Sequence, residues 1–269
     1  MDAKTQQGRV QRFLKTHINS PYFFSNGKTQ IAVDFRVCPL MKKVNGLYKS
    51  PVCKACYSKN ILTVYPTVRK KIENLPKQTA ESLAEFEKDC AQLKEKFGWD
   101  KIRFYALSDF GPEDIPFIHA ARKYFTVDII SKSLVFTQNE KYLVSLFNLE
   151  NVWISLSFNE HNKSHMSKIK EILQVYMPKN VQLNYMMSYP EEDPTWPEFN
   201  DIQVFHFRNN NKRSFCEKIG LHESRVCGIF DINGKPVEGH GHCSSCNNCH
   251  ESYIGQKDSN ILLDSVACV

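Results

Sequence analysis

The sequence predicts an α/β fold: six parallel strands alternating with helices, closed by a cysteine-rich metal-binding extension. Three observations predict it. Six short runs rich in β-branched and aromatic residues recur from residue 31 onward, segments with helical periodicity separate them, and seven of the ten cysteines fall into two sets, one near each end of this pattern. Alternating strand and helix signals are those of a parallel sheet wound with helices.

The bulk properties fit one domain of α/β size with a small appendage: 269 residues, 42% of them hydrophobic. No stretch approaches the roughly 18 apolar residues of a membrane span, and the opening MDAKTQQGRVQRFLKTH lacks the apolar region of a signal peptide. The expectation is a cytoplasmic protein with no membrane partner. In a reducing compartment, closely spaced cysteines are expected to bind metal rather than to form bridges. The net charge of +6 is a mild basic excess, with local groups at Lys42, Lys43, Lys49 and at Arg69, Lys70, Lys71. A solvated surface accounts for it, and nucleic acid or another phosphate-bearing partner is compatible with it.

Taken in order, residues 1 to 30 form an N-terminal extension. The six strands are expected at IAVDFRV (31 to 37), KIRFYALS (101 to 108), TVDIIS (126 to 131), VWISLSF (152 to 158), VQLNYMM (181 to 187) and IQVFHFR (202 to 208). A helix is expected to begin near Lys59. Leu83, Phe86, Leu93 and Phe97 mark one face of another, running from Thr79 to Gly98, with Cys90 on that face as a small buried hydrophobe. Pro112 is placed to start the next, with Ile115 and Ile118 on one face. Thr137 and Glu140 have capping-box spacing before Tyr142, Leu143, Leu146 and Phe147, and Ser164 precedes Ile169, Ile172, Leu173 and Tyr176. The segment PEEDPTWPEF (190 to 199) holds too many prolines for more than a turn or two of helix.

Six such units make either a partial barrel or a doubly wound sheet. In both, the reactive end carries the carboxyl ends of the strands. Alternation supports a polar interior. Val152, Ile154, Leu156 and Phe158 share one face of the fourth strand, leaving Ser155 and Ser157 on the other, and Gln182 and Asn184 alternate with apolar residues on the fifth. Each buried polar group needs a partner, and a ligand cavity supplies one. The alternative is that these groups pair with one another or with water.

Cys38 follows the first strand, and Cys53 and Cys56 complete a C(x14)C(x2)C pattern ending in CKACYS. Two thiolates at CxxC spacing reach one metal centre from a single turn. Three ligands are one short of a closed site, and an incomplete set leaves a metal position open for water or substrate. The second set, Cys227 with Cys243, Cys246 and Cys249 in HGHCSSCNNCHE, has four ligands and ferredoxin-like spacing. It suits a second iron–sulfur cluster or a zinc ion, the latter with a contribution from His240, His242 or His250. Cys216 and Cys268 have no close partner in sequence.

A cysteine triad on the loop after the first strand of a β/α sheet resembles the radical S-adenosylmethionine superfamily. The ending CKACYS is similar to uncharacterised phage and bacterial proteins related to it, in which a widened triad ends in CxxCYA or CxxCYS. Ser108, Asp109 and Gly111 in LSDFG, and Lys132 in SKS, stand where such proteins carry a Gly-Asp or Ser-Gly-Asp turn and a Thr-Lys element. The resemblance covers roughly residues 31 to 250. It implies a partial (β/α)6 barrel over residues 31 to 210, a cysteine-rich segment over 211 to 269, and a [4Fe–4S] cluster on Cys38, Cys53 and Cys56. It further implies reductive cleavage of S-adenosylmethionine to a 5'-deoxyadenosyl radical that acts on an unknown substrate, with an electron donor such as ferredoxin or flavodoxin. Asp109, Lys132, Ser155, Ser157, Asn184 and His206 are the candidates for cofactor binding. Two competing readings are a non-catalytic iron–sulfur phage protein, serving in redox, host interaction or nucleic-acid binding, and a wholly zinc-stabilised protein.

Overall fold

The structure, a computed structural model, describes residues 3–26, 30–49, 57–132, 134–159, 162–187 and 204–207. The chain divides into two compact units, Met1–Ser157 with His161–Val181, and Phe158–Glu160 with Gln182–Val269.

In the first unit, helix α1 (Ala3–Thr16) leads to strand β1 (Phe23–Asn26), which pairs antiparallel with β2 (Gln30–Val33). Strands β5 (Lys101–Phe104), β6 (Thr126–Ser131) and β7 (Val152–Phe158) then add to β2 in parallel, each beside its predecessor. Before β5 come a hairpin, β3 (Lys42–Val44) with β4 (Leu47–Lys49), and three helices, α2 (Tyr57–Val64), α3 (Pro66–Glu73) and α4 (Ala80–Phe97). A 3-10 turn (Pro112–Asp114) and α5 (Ile115–Ala121) join β5 to β6; α6 (Leu134–Gln138) and α7 (Glu140–Val144) join β6 to β7. A second 3-10 turn (Lys163–His165) and α8 (Met166–Tyr176) follow. In the second unit, β8 (Val181–Met187) pairs in parallel with β9 (Val204–Phe207).

Each of the six expected strands is therefore present, and the class is α/β with mostly parallel strands. Of the five whose runs lie within the described residues or end at a described residue, two are shorter than their apolar runs. β2 ends at Val33 rather than at residue 37, which leaves Cys38 five residues past the strand. β5 ends at Phe104 because Tyr105 takes φ +67, a left-handed conformation that turns the chain out of the ladder and costs an aromatic residue on the order of 1–2 kcal/mol.

Helix α4 follows its sequence pattern closely. Thr79 caps it by accepting from the Ser82 amide, Gly98 ends it at φ +62, and Phe86, Cys90 and Leu93 are buried. Burial pushes the Cys90 thiol far up, so it stays protonated and serves as packing. The cap before α7 differs from expectation. Thr137 lies inside α6, its hydroxyl against His165 Nδ1, and Asn139 caps α7 by accepting from the Lys141 amide.

An aromatic core fills the face of the sheet that α4 and α5 cover. Phe23 stacks on Phe86 with centroids 4.8 Å apart, and Phe117 meets Phe35 at 4.9 Å and Phe86 at 5.2 Å. One polar group intrudes by design of the chain path. Asp89 of α4 is fully buried, and its carboxylate accepts the Asn19 amide at 3.0 Å and the Ser20 amide at 2.6 Å, fixing the turn between α1 and β1. Asp89→Ala strands both donors. We expect it to lower the unfolding free energy by at least about 2 kcal/mol in urea titrations, with an unchanged slope.

Candidate functional site

The carboxyl ends of β2, β5 and β6 gather a set of buried polar residues. The chain leaves β2 through Asp34, whose amide donates to the Tyr22 carbonyl at 3.1 Å. Asp34 has no exposure. Its Oδ1 accepts the amides of Leu107 and Ser108, both at 2.9 Å, and the Ser108 hydroxyl at 2.7 Å. Among the described residues its Oδ2 has no hydrogen-bond partner. Burial pushes the carboxyl up to about 6, against the opposing pull of those donors and of Arg103.

Arg36, two residues on, reaches across to Asp114, which also accepts from Gln78 Nε2, from the Tyr105 hydroxyl at 2.9 Å and from the Gly111 amide at 2.8 Å. Burial pushes Asp114 up to about 6, with Arg36 the largest opposing influence. Arg36 lies so close over Gly111 that a Cβ there would collide with the guanidinium.

Asp109 is 5% exposed and engaged on all sides. It accepts the Phe110 amide at 2.8 Å, the Lys132 amide at 3.1 Å and the Ser131 hydroxyl. It thereby ties the β5 exit to the β6 exit, while Lys132 enters this contact through its backbone. The β6 and β7 exits are tied by Asn162, whose Nδ2 donates to the carbonyls of Lys132 at 2.9 Å and Ser157 at 3.0 Å. Ser155 and Ser157 are half-buried and share a face of β7 with Trp153. On the same face of the sheet, Arg103, Asp128 and Trp153 stand in one cross-strand row. In the second unit, Asn184 is buried and pairs in register with Val204, and Met186 pairs with His206.

Cys38 is partly buried against an apolar cluster that includes Ala32, Met41, Tyr48, Leu62 and Leu107. Its carbonyl accepts the Met41 amide at 3.0 Å. The Ser58 hydroxyl, in the first turn of α2, donates to the Ala106 carbonyl at 3.3 Å. Cys38, Ile61 and Leu62 of α2, and Ala106 and Leu107 at the β5 exit thus belong to one apolar cluster. Cys53, Cys56, Cys227, Cys243, Cys246 and Cys249 lie outside the described residues, as do Cys216 and Cys268. Among the described residues no three histidine, cysteine or acidic side chains gather as a metal site, and no helix is long and apolar enough to cross a membrane.

The residues that organise these exits, Asp34, Arg36, Gln78, Asp114 and Asn162, were not among the sequence candidates. A signal existed for Asp34, an acid inside the otherwise apolar run IAVDFRV. Comparison with protein-family models, curated proteins and solved structures finds no match.

Two outcomes test this arrangement. Gly111→Ala displaces Arg36 from a buried carboxylate and is expected to cost roughly 3 kcal/mol in chemical denaturation, as breaking a buried ion pair does. Asp34 binds its proton more tightly in the folded chain, near pH 6, than its ordinary value of 3.8. Its contribution to stability is therefore fully present below about pH 4 and lost as pH rises through about 6. Relative to Asp34→Asn, the wild type should lose on the order of 3 kcal/mol across this window. Asp114 titrates in the same window in both proteins and cancels from the difference; parallel stability curves would contradict the role given to Asp34.

Proposed function

We propose that the chain is an iron–sulfur enzyme of the radical S-adenosylmethionine type, with a [4Fe–4S] cluster held by Cys38, Cys53 and Cys56 at the carboxyl end of the sheet. The observation that supports it best is that Cys38, α2 and the β5 exit share one apolar cluster. Cys56 stands two residues before Ser58 in the chain, and two residues span at most about 7 Å. Three thiolates leave one iron without a protein ligand, the donor set of a catalytic rather than a closed centre. When bound, such a cluster would supply the electron that cleaves S-adenosylmethionine to methionine and a 5'-deoxyadenosyl radical.

The chain's own contribution is orientation and exclusion of water. Asp34 offers a buried carboxylate oxygen that suits an ammonium donor. Asp109 and Asn162 hold the Lys132 backbone in place. Ser155 and Ser157 in the first unit, with Asn184 and His206 in the second, are the candidates for contacts to cofactor or substrate. The order β2, β5, β6, β7 runs without reversal, an order compatible with the proposed partial (β/α)6 barrel. Cys227, Cys243, Cys246 and Cys249 are proposed to hold a second metal, a further cluster or zinc.

Anaerobic reconstitution tests the proposal. We expect iron and inorganic sulfide in at least cluster stoichiometry, 5'-deoxyadenosine on reduction with S-adenosylmethionine, and loss of that product in Cys38→Ala, Cys53→Ala and Cys56→Ala. An intact cluster that neither binds nor cleaves S-adenosylmethionine would reduce the protein to a non-catalytic iron–sulfur module. Stoichiometric zinc without sulfide would remove both.

A further inference from the structure

One row of the sheet carries opposite charges that the fold does not join. Ala32, Arg103, Asp128 and Trp153 are register partners on β2, β5, β6 and β7, so their side chains leave the same face of the sheet. The β2 end of the row is covered, since Ala32 belongs to the apolar cluster that holds Leu62 of α2 and Ile72 of α3. Beyond it, Arg103, Asp128 and Trp153 are half-buried. Neighbouring strands stand about 4.8 Å apart, close enough for an arginine and an aspartate side by side to pair. These two do not. Neither forms a hydrogen bond or an ion pair among the described residues, and Arg103 Nε lies out of water with no acceptor. Burial pushes the Asp128 carboxyl up, with Lys101 and Arg103 opposing. Drawing two charges out of water without joining them is costly, and a ligand that meets both recovers the cost.

The three side chains define that ligand. Arg103 presents N–H donors in a fork that grips two acceptors, Asp128 has two oxygens that take two donors, and Trp153 supplies an aromatic face. Guanine meets all three. Its O6 and N7 are the acceptor pair that arginine grips, and its N1–H and exocyclic N2 amine lie side by side for a carboxylate. Adenine, cytosine and uracil offer no such pair of donors. A zwitterionic amino acid answers both charges but makes no use of an aromatic face. Lys101, two residues before Arg103 on the same face, sets two cations against one carboxylate. From Phe35 to Ile72, the stretch that includes α2 and α3, the chain carries nine lysines and arginines and no aspartate or glutamate. That excess suits a ligand bearing phosphate.

We propose that Arg103, Asp128 and Trp153 bind a guanine base that carries phosphate, as a free nucleotide or presented by a single strand of nucleic acid. The two charged groups read the edges of the base and give selectivity, while stacking adds affinity for any base. The site is built from these side chains alone and does not depend on the iron–sulfur reading.

Isothermal titration of the full chain with GMP, inosine monophosphate, AMP, CMP and UMP tests it. We expect GMP to bind at least about tenfold more tightly than the other four. Inosine monophosphate is the sharpest comparison, because it lacks only the N2 amine. In Asp128→Asn the preference for GMP over inosine monophosphate should shrink to about twofold or less, whereas Trp153→Leu should weaken all five about tenfold. Lys168→Glu on α8 should change nothing. Asp128→Asn removes an unpaired charge, so its thermal midpoint should not fall; the wild-type comparison needs no variant. A short oligoadenylate with one central guanine assigns the source: binding tighter than GMP identifies a nucleic-acid strand, and weaker binding a free nucleotide. Equal binding of GMP and inosine monophosphate overturns the proposal, as does GMP that fails to bind at about 1 mM. Full selectivity in folded Asp128→Asn, or glutamate bound in place of GMP, also overturns it. A protein that lacks iron and sulfide yet prefers GMP keeps this site and refutes the iron–sulfur reading alone.

Discussion

The carboxylate of Asp114, fully out of water, receives Arg36 from the β2 exit, Gln78 from the loop before α4, the Tyr105 hydroxyl from the β5 exit and the amide of Gly111. Burying a carboxylate costs several kcal/mol unless its lone pairs are met, and a partner left behind costs as much again. Four donors from separate stretches of chain meet it here. The left-handed Tyr105 is part of the same bargain. Its strain persists because the hydroxyl is tied to Asp114 and the ring is packed between Phe104 and Phe110, and the turn it makes is what carries Leu107 and Ser108 onto Asp34.

From that hub the same device is repeated along the sheet. Asp34 binds the β2 exit to the β5 exit, Asp109 binds β5 to β6, and Asn162 binds β6 to β7. Each link is a buried side chain holding the backbone of the next strand's exit, so the carboxyl end of the sheet is laced across rather than left as independent loops. Fixed backbone donors and acceptors of this kind are what a cofactor site needs, since orientation that is already in place is not lost again on binding. Within this lacing, Oδ2 of Asp34 has no hydrogen-bond partner among the described residues.

Much of the scaffold was legible because it rests on local pattern. β6, β7 and β8 match their apolar runs residue for residue, and α4 is bounded by the Thr79 and Gly98 that its sequence advertises. The lacing was not legible, because the partners that cross from one strand exit to another stand 23 to 78 residues apart, as Asp109 with Lys132 and Arg36 with Asp114 do. Nothing in a linear pattern pairs them. The hairpin is a different case. Asn45 and Gly46 take φ +51 and +76, the two left-handed residues of a tight hairpin turn, and Asn-Gly between Val44 and Leu47 is a strong local signal for it. Cysteine spacing alone marks residues 38 to 56 as a ligand loop and carries no information about this turn.

That filling changes what the long interval means. Lys42 and Lys49 are cross-strand partners, so their Cα atoms stand about 5 Å apart, and the eight residues from Lys42 to Lys49 add almost nothing to the span between the cysteines. Residues 39 to 41 and 50 to 52 are left to join Cys38 and Cys53, four chain steps on either side of the ribbon, a spacer that reaches about 30 Å at full extension against about 50 Å for the same interval without the ribbon. In the proposed centre, then, a fourteen-residue interval behaves as a narrow one carrying an inserted ribbon.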